Sequence, residues 1–320
     1  MTFRTLTLGA VSALAISLGA SAALAAGNTS SVTQTGDYND AKVTQNDGTQ
    51  GASTITQAGN GLKFFHAKAT VTQAGRALNL STIDQLASSK GAWATVNQSG
   101  AAGNTSSIKQ AGAFAIVSVT QVSSGVGVNT ATIDQNNTKG VGLAASVFQT
   151  GDANAATIIQ SQSDTRLGGG SSVIQLGDNN TANINQSGNY SVASISDVGN
   201  GSKTTFTQTG ERNISMSARI GNNNNTAVSQ FSNNNFSLIT GFGNDNSINV
   251  KQEIKDGNSS TIMQNGDANK VDLVQNAGNA SSSVITQGGS YNVALVTQSI
   301  VGGASTISQS GDRNTATIKQ

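Results

Sequence analysis

The chain has 320 residues, of which only 4% are aromatic, with 37 glycines, no proline, no cysteine, and 17 basic against 16 acidic side chains. So few large apolar side chains cannot fill a thick core, which leaves either disorder or a thin core extended along one dimension. Absent proline favours continuous backbone ladders, absent cysteine excludes disulfides and thiolate chemistry, and the balanced charge gives no footing for nucleic acid or anionic membranes.

Taken in chain order, Met1–Ala26 reads as a secretory signal. Arg4 is the positive start, Leu6–Leu18 a short apolar stretch, and Ala23-Leu24-Ala25 an A-x-A cleavage site. The sequence thus predicts a signal peptide over 1–25, a secreted extracellular product, and one repeat domain over 26–320. Losing Arg4 leaves 16 basic and 16 acidic side chains.

From Gln34 onward a short unit recurs. Asn39 to Gln45, Asn154 to Gln160, Asn180 to Gln186, Asn292 to Gln298 and Asn314 to Gln320 follow one rule: Asn, a small residue, a β-branched aliphatic and Gln at every second position. Between Gln34 and Gln320 there are 25 such half-repeats, and Gln fills the last slot in 22 of them, including Gln149, Gln175 and Gln309. The residue two before that slot is Val, Ile or Leu in 23, and the residue four before is Ala or Ser in 20. Phe206 and Ser217 are the exceptions at the aliphatic position. Alternation with period two is the mark of a strand with one buried face, and Gly two residues after many of the Gln slots supplies a tight turn.

A strand this short cannot bury its stripe alone. Two strands folded against each other form a rung, and rungs stacked about 4.8 Å apart make an all-β solenoid of about 12 rungs and roughly 60 Å. Stacking puts equivalent residues into columns, so the buried Gln and Asn amides are expected to hydrogen-bond to their copies above and below. The wider spacings 57→73, 121→135, 135→149 and 160→175 are expected to bulge as loops, including Leu62 to His66.

The Gln slot is interrupted at Asp197, Arg219 and Gly241, each 22 residues apart. Two strands per rung place these three in one column on consecutive rungs, where either an ion pair between Asp197 and Arg219 replaces two glutamines or the column frays and both side chains point to solvent.

The pattern offers little chemistry. His66 is the one histidine and reads as a surface residue beside Phe64 and Phe65, so neither a serine triad nor a histidine metal site can be assembled. Gly-Asp recurs at Gly36, Gly151, Gly177, Gly266 and Gly311 without the nine-residue spacing of calcium solenoids, which makes these aspartates turn formers. Gly168-Gly169-Gly170 reads as a loop tract, and Tyr38, Tyr190, Tyr291 and Trp93 as isolated residues. No catalytic residue, cofactor or metal is expected.

The unit Gln-x-Gly-x-x-Asn-x-Ala-x-x-x-Gln resembles the curlin repeat of curli subunits; Gln34 to Gln45, Gln149 to Gln160, Gln175 to Gln186, Gln287 to Gln298 and Gln309 to Gln320 match it closely. The resemblance spans residues 28–320. It implies a bacterial amyloid subunit of a biofilm matrix, with itself as chief partner, a nucleator subunit and an outer-membrane secretion channel as further ones, and host or abiotic surfaces as things gripped. The array is about twice as long as that of familiar curli subunits, and no Gly-rich targeting segment precedes the first repeat. Gln320 completes a full repeat and the first strand is expected to begin almost at the cleavage site, so templated end-to-end strand addition is the expected mode of assembly. A monomeric adhesin is the alternative. An ice-binding solenoid is a weaker one, suggested by the Thr pairs at Thr54 and Thr56, Thr70 and Thr72, and Thr205 and Thr207.

Overall fold

A computed structural model describes residues 27–46, 51–58, 66–75, 78–86, 90–162, 168–253, 256–276 and 280–320, with backbone alone at 137–141 and 162. The expected signal segment Met1–Ala26 and the stretch Leu62 to Phe65 lie outside these residues.

The described residues form strands joined by turns, and the strands alternate between two sheets. In chain order they are β1 (Thr29–Gln34), β2 (Asn39–Asn46), β3 (Ala52–Gln57), β4 (Ala67–Ala74), β5 (Leu80–Gln85), β6 (Trp93–Gly100), β7 (Asn104–Ala113) and β8 (Ile116–Ser123). There follow β9 (Asn129–Val141), β10 (Ala144–Thr150), β11 (Ala155–Gln162), β12 (Gly170–Leu176), β13 (Thr181–Ser187), β14 (Val192–Val198), β15 (Lys203–Thr209), β16 (Ile214–Ile220) and β17 (Asn225–Phe231). The remainder are β18 (Phe236–Phe242), β19 (Ser247–Gln252), β20 (Ser259–Asn265), β21 (Lys270–Gln275), β22 (Ser282–Gly288), β23 (Val293–Gln298), β24 (Ala304–Ser310) and β25 (Thr315–Lys319). Odd-numbered strands make a 13-stranded sheet and even-numbered strands a 12-stranded one. The chain is therefore a β-solenoid with two strands per rung.

Neighbouring strands in each sheet run parallel, and their register aligns like with like. Ala182, Ile184 and Gln186 pair with Thr204, Phe206 and Gln208, and those with Thr226, Val228 and Gln230. β-Branched residues suit this pleated, half-buried setting. Ile184 and Phe206 of the odd sheet and Ile195 and Ile239 of the even sheet lie in one continuous core. The exceptional Phe206 and Ser217 occupy the mid-strand core position of β15 and β16, the two strands of one rung, so a large side chain falls beside a small one.

Regular strands such as β13 to β18 have seven residues and take in the residue after the Gln slot, which leaves four residues per turn. The wide spacing 135→149 is not a simple loop: β9 runs on for 13 residues and, past a bulge at Ala111 to Ala113, pairs again with β7 at Val141. Extra residues that can hydrogen-bond as strand do so, because an unpaired backbone would forfeit those bonds.

The turns are as repetitive as the strands. Gly177 and Gly199 have φ of 114° and 130°, and two residues later Asn179 and Gly201 are left-handed at 58° and 68°. Glycine is required here for a second reason. A Cβ on Gly199 would stand 2.2 Å from the carbonyl oxygen of Gly221 in the next rung. Gly199→Ala is therefore expected to cost at least about 2 kcal/mol, since neither the angle nor the backbone contact can relax cheaply. Gly170→Ala, where a Cβ meets nothing within 4 Å, should stay within about 0.5 kcal/mol. Urea unfolding of the two variants checks this, and equal losses would contradict it.

Candidate functional site: amide ladders and a charged interruption

The Gln slot projects inward near the end of each strand, where its amide is sealed from water except at half-buried Gln34 and Gln45 and exposed Gln320. In the odd sheet the column runs Gln34, Gln57, Gln85, Gln110, Gln135, Gln160, Gln186, Gln208, Gln230, Gln252, Gln275, Gln298 and Gln320. Each Nε2 donates to the Oε1 of the next, twelve times in succession at 2.7–3.4 Å. Every bond points the same way along the rod. The second Nε2 proton crosses the core: Gln230 donates to the Ile214 carbonyl at 3.1 Å, Gln252 to Phe236 at 3.0 Å, and Gln320 to Ala304 at 3.0 Å. One amide therefore ties three strands and clips the two sheets together.

The even column does the same from Gln45 to Gln175, through Gln73, Gln98, Gln121 and Gln149, at 2.8–2.9 Å. It resumes from Gln264 through Gln287 to Gln309.

Asn104 and Asn129 donate to their copies Asn79 and Asn104 as expected, at 3.0 and 3.2 Å, but most asparagines act differently. Asn154, Asn180 and Asn292 donate from Nδ2 to the carbonyls of Gly177, Gly199 and Gly311 one rung on. Their Oδ1 atoms accept the backbone N–H of Asn180, Ser202 and Asn314. Asn314 keeps an amide-to-amide bond with Asn292 at 3.0 Å, and Asn39 donates to the Thr35 carbonyl within its own turn. The side chains serve the backbone because the turn has left the strand ladder, and its polar groups need other partners. The turn aspartates have the same role: Asp152, Asp178, Asp267 and Asp312 accept the N–H of Gly125, Asp152, Asn244 and Ser290 in the preceding rung. Among the described residues no three His, Asp or Glu side chains group to hold a metal ion.

Asp197, Arg219 and Gly241 are adjacent in register in the even sheet, on β14, β16 and β18. Asp197 is fully buried and Arg219 is 1% exposed. The two charges attract across one rung but share no hydrogen bond. Asp197 Oδ1 accepts from the Thr204 hydroxyl at 3.1 Å while Oδ2 has no hydrogen-bond partner. Arg219 turns the other way, donating to Thr226 Oγ1 at 3.0 Å and to Asn224 Oδ1 and the Asn246 carbonyl at 3.3 Å. It leans over Gly241, where a Cβ would meet its Nε at 2.7 Å. The three interruptions are thus one arrangement: an anion, a cation and the space the cation fills.

Sequence reasoning missed the facing residues. The small inward position opposite each interruption lies seven residues further on, and it holds Thr204, Thr226 and Ile248 in place of the usual Ala or Ser. That coincidence was visible in the repeat. Tyr190 and Tyr291 are not isolated either, since Arg212 and Arg313, one rung on, sit 5.6 and 5.9 Å over their rings. Exposed His66 lies 5.5 Å from Tyr38. Gly170 opens β12, so the glycine tract is partly strand.

Burial raises the Asp197 carboxyl to about 6, against the lowering pull of the Thr204 hydrogen bond and the Arg219 charge. Burial likewise lowers Arg219 to about 10, opposed by Asp197. Between an unfolded carboxyl value of about 3.9 and the folded value, the native chain holds a proton that the unfolded chain has lost. Stability therefore falls as pH rises through that window. Melting temperature should rise between pH 7 and pH 5 by the equivalent of about 1.3 kcal/mol relative to Asp197→Asn, which lacks the titration. Parallel pH profiles of the two chains would refute this.

Gly241→Ala should cost about 1–3 kcal/mol beside Arg219 and under about 0.5 kcal/mol in the Arg219→Gln background. A double-mutant cycle by urea unfolding measures the coupling, and additive losses would separate the two residues.

No protein-family model matches the chain, and no curated protein matches it significantly.

Proposed function

We propose that this protein is the structural subunit of an extracellular fibre of the curli type, growing by end-to-end addition of rungs. The observation that carries the reading is that neighbouring strands repeat one parallel, in-register contact throughout, with the odd-sheet amides bonded in a single direction along the rod. A second copy stacked in register would extend the same ladders.

The polarity of the odd ladder supports the same mode. Gln320 can offer its amide to Gln34 of the next copy as Gln298 does to Gln320, and Gln309 can meet Gln45. Axial growth then reproduces contacts the chain already makes some two dozen times. This is strand addition with the side-chain column as the specificity element. The Thr pairs fit the ice-binding alternative poorly, because Thr54, Thr56, Thr205 and Thr207 lie on the odd sheet and Thr70 and Thr72 on the even one.

The test is dilution of denaturant-solubilised chain lacking residues 1–25 into buffer, followed by thioflavin T fluorescence and electron microscopy. A lag abolished by preformed seeds, with unbranched fibres, is expected. A soluble β-rich monomer persisting at high concentration would instead favour the adhesin.

A further inference from the structure

The outward residues of the two sheets are unlike. The odd sheet carries Asp84, Lys109, Asp134, Lys203, Lys251, Lys270, Asp272 and Lys319 on its strands. On the even sheet, from β6 to β24, the only charged residues are Asp197 and Arg219, and both point inward. Its outer face shows instead Trp93, Ile116, Phe148, Ile220, Phe242 and Met263, each between 41% and 55% exposed.

We infer that this face binds the same face of a second copy, two even sheets packed across a two-fold axis that runs along β14. Size and charge favour a second copy as occupant. With strands about 4.8 Å apart and about 3.3 Å per residue, the nine strands β6 to β22 that an axis on β14 lays over themselves offer roughly 1,000 Å². That passes the ~800 Å² per partner of a stable interface. An uncharged surface can meet itself without like-charge repulsion, whereas two odd sheets would set formal charges against one another in a desolvated gap.

Shape selects the axis. A shallow groove of about 370 Å³ crosses β8 to β14, floored by Ala144, Ser146, Gly170 and Ser172. Two to four strands further on, β16 and β18 carry Ile214, Met216, Phe236 and Leu238 at the same strand positions. A two-fold along β14 exchanges β16 with β12 and β18 with β10. It sets Ile214 over Gly170, Met216 over Ser172, Phe236 over Ala144 and Leu238 over Ser146, large against small each time. Nearer the Gln slot the sizes invert and still match: Ile174 meets Ala218, and Phe148 meets Thr240. Interdigitation of this kind is how face-to-face sheets reach core density at about 10 Å separation. The rods so paired run antiparallel. The pairing does not rest on axial growth, so a chain that forms no fibres would still dimerise.

Because the chain lacks cysteine, cross-linking reads the geometry directly. Soluble Met216→Cys and Ser172→Cys chains, mixed in equal amounts and oxidised, should give a disulfide dimer at least tenfold faster than either alone. Sedimentation velocity should show the parent chain as a dimer and Ile220→Lys/Phe242→Lys as a monomer. Asn183→Lys/Asn185→Lys, exposed on the odd sheet, should stay dimeric. In fibres, mass per length should halve for the even-face variant while seeding persists. Met263→Lys/Val284→Lys serves if the first variant loses its β circular dichroism. A monomeric parent chain, no preference for the mixed pair, or a parent that only adsorbs to alkyl-coated beads would each overturn the proposal.

Discussion

A buried primary amide has two donors and an acceptor to satisfy, and that demand organises the molecule. Gln can meet it inside a solenoid only by reaching the Gln one rung away and a carbonyl across the core. It therefore requires identical residues at a repeat of one rung, exact parallel register, and two sheets held at a set distance. An unmade bond would leave a buried polar group at a cost of about 1–3 kcal/mol, more than a made one contributes. The thin apolar core between the columns fixes little by itself. The Ala, Val and Ile of each rung are small, and it is their enclosure between two amide columns that keeps them dry.

Where the amide column breaks, the structure replaces one kind of satisfaction with another. Asp197 and Arg219 draw on Thr204, Thr226, Asn224 and the Asn246 carbonyl, and Gly241 yields the volume that Arg219 takes. The exchange is incomplete: Asp197 Oδ2, Arg219 Nε and Gln264 Oε1 have no hydrogen-bond partner. Such a segment stabilises less than three glutamines would. It also differs from every other rung. A slip of one rung anywhere else in the column sets Gln against Gln, but here it would set Arg219 beside a side chain where it needs Gly241. Nearly identical rungs are otherwise prone to shifted pairing.

The same economy of residues shapes the outside. Charges sit on the odd sheet, where they keep a long exposed face wetted, and are withheld from the even one over ten strands. In the proposed assembly a rod that is polar on one side and apolar on the other would meet its own copies in two separate ways, by its ends through backbone and amide bonds and by one flank through side chains.

Much of this was legible in the chain itself. The two-residue period, the Gln slot and the 22-residue coil dictated a two-strand rung, and hence that Gln34 to Gln320 would fall into two columns and that Asp197, Arg219 and Gly241 would be neighbours. Periodicity decides this because the strand alternates faces and the turn returns the chain after a constant count. What it could not decide is direction and distance. Whether Arg219 turned toward Asp197 or away from it depended on the room at Gly241 and on hydroxyls seven residues along. Whether an asparagine met its copy or the backbone depended on where the strand ladder ended. The repeat places Gly170 with Ile214 and Ser172 with Met216 in shared columns two coils apart, whereas the groove beside the larger side chains comes from how the rungs pack. Repetition told which residues share a column; the packed rungs decided what each side chain reaches.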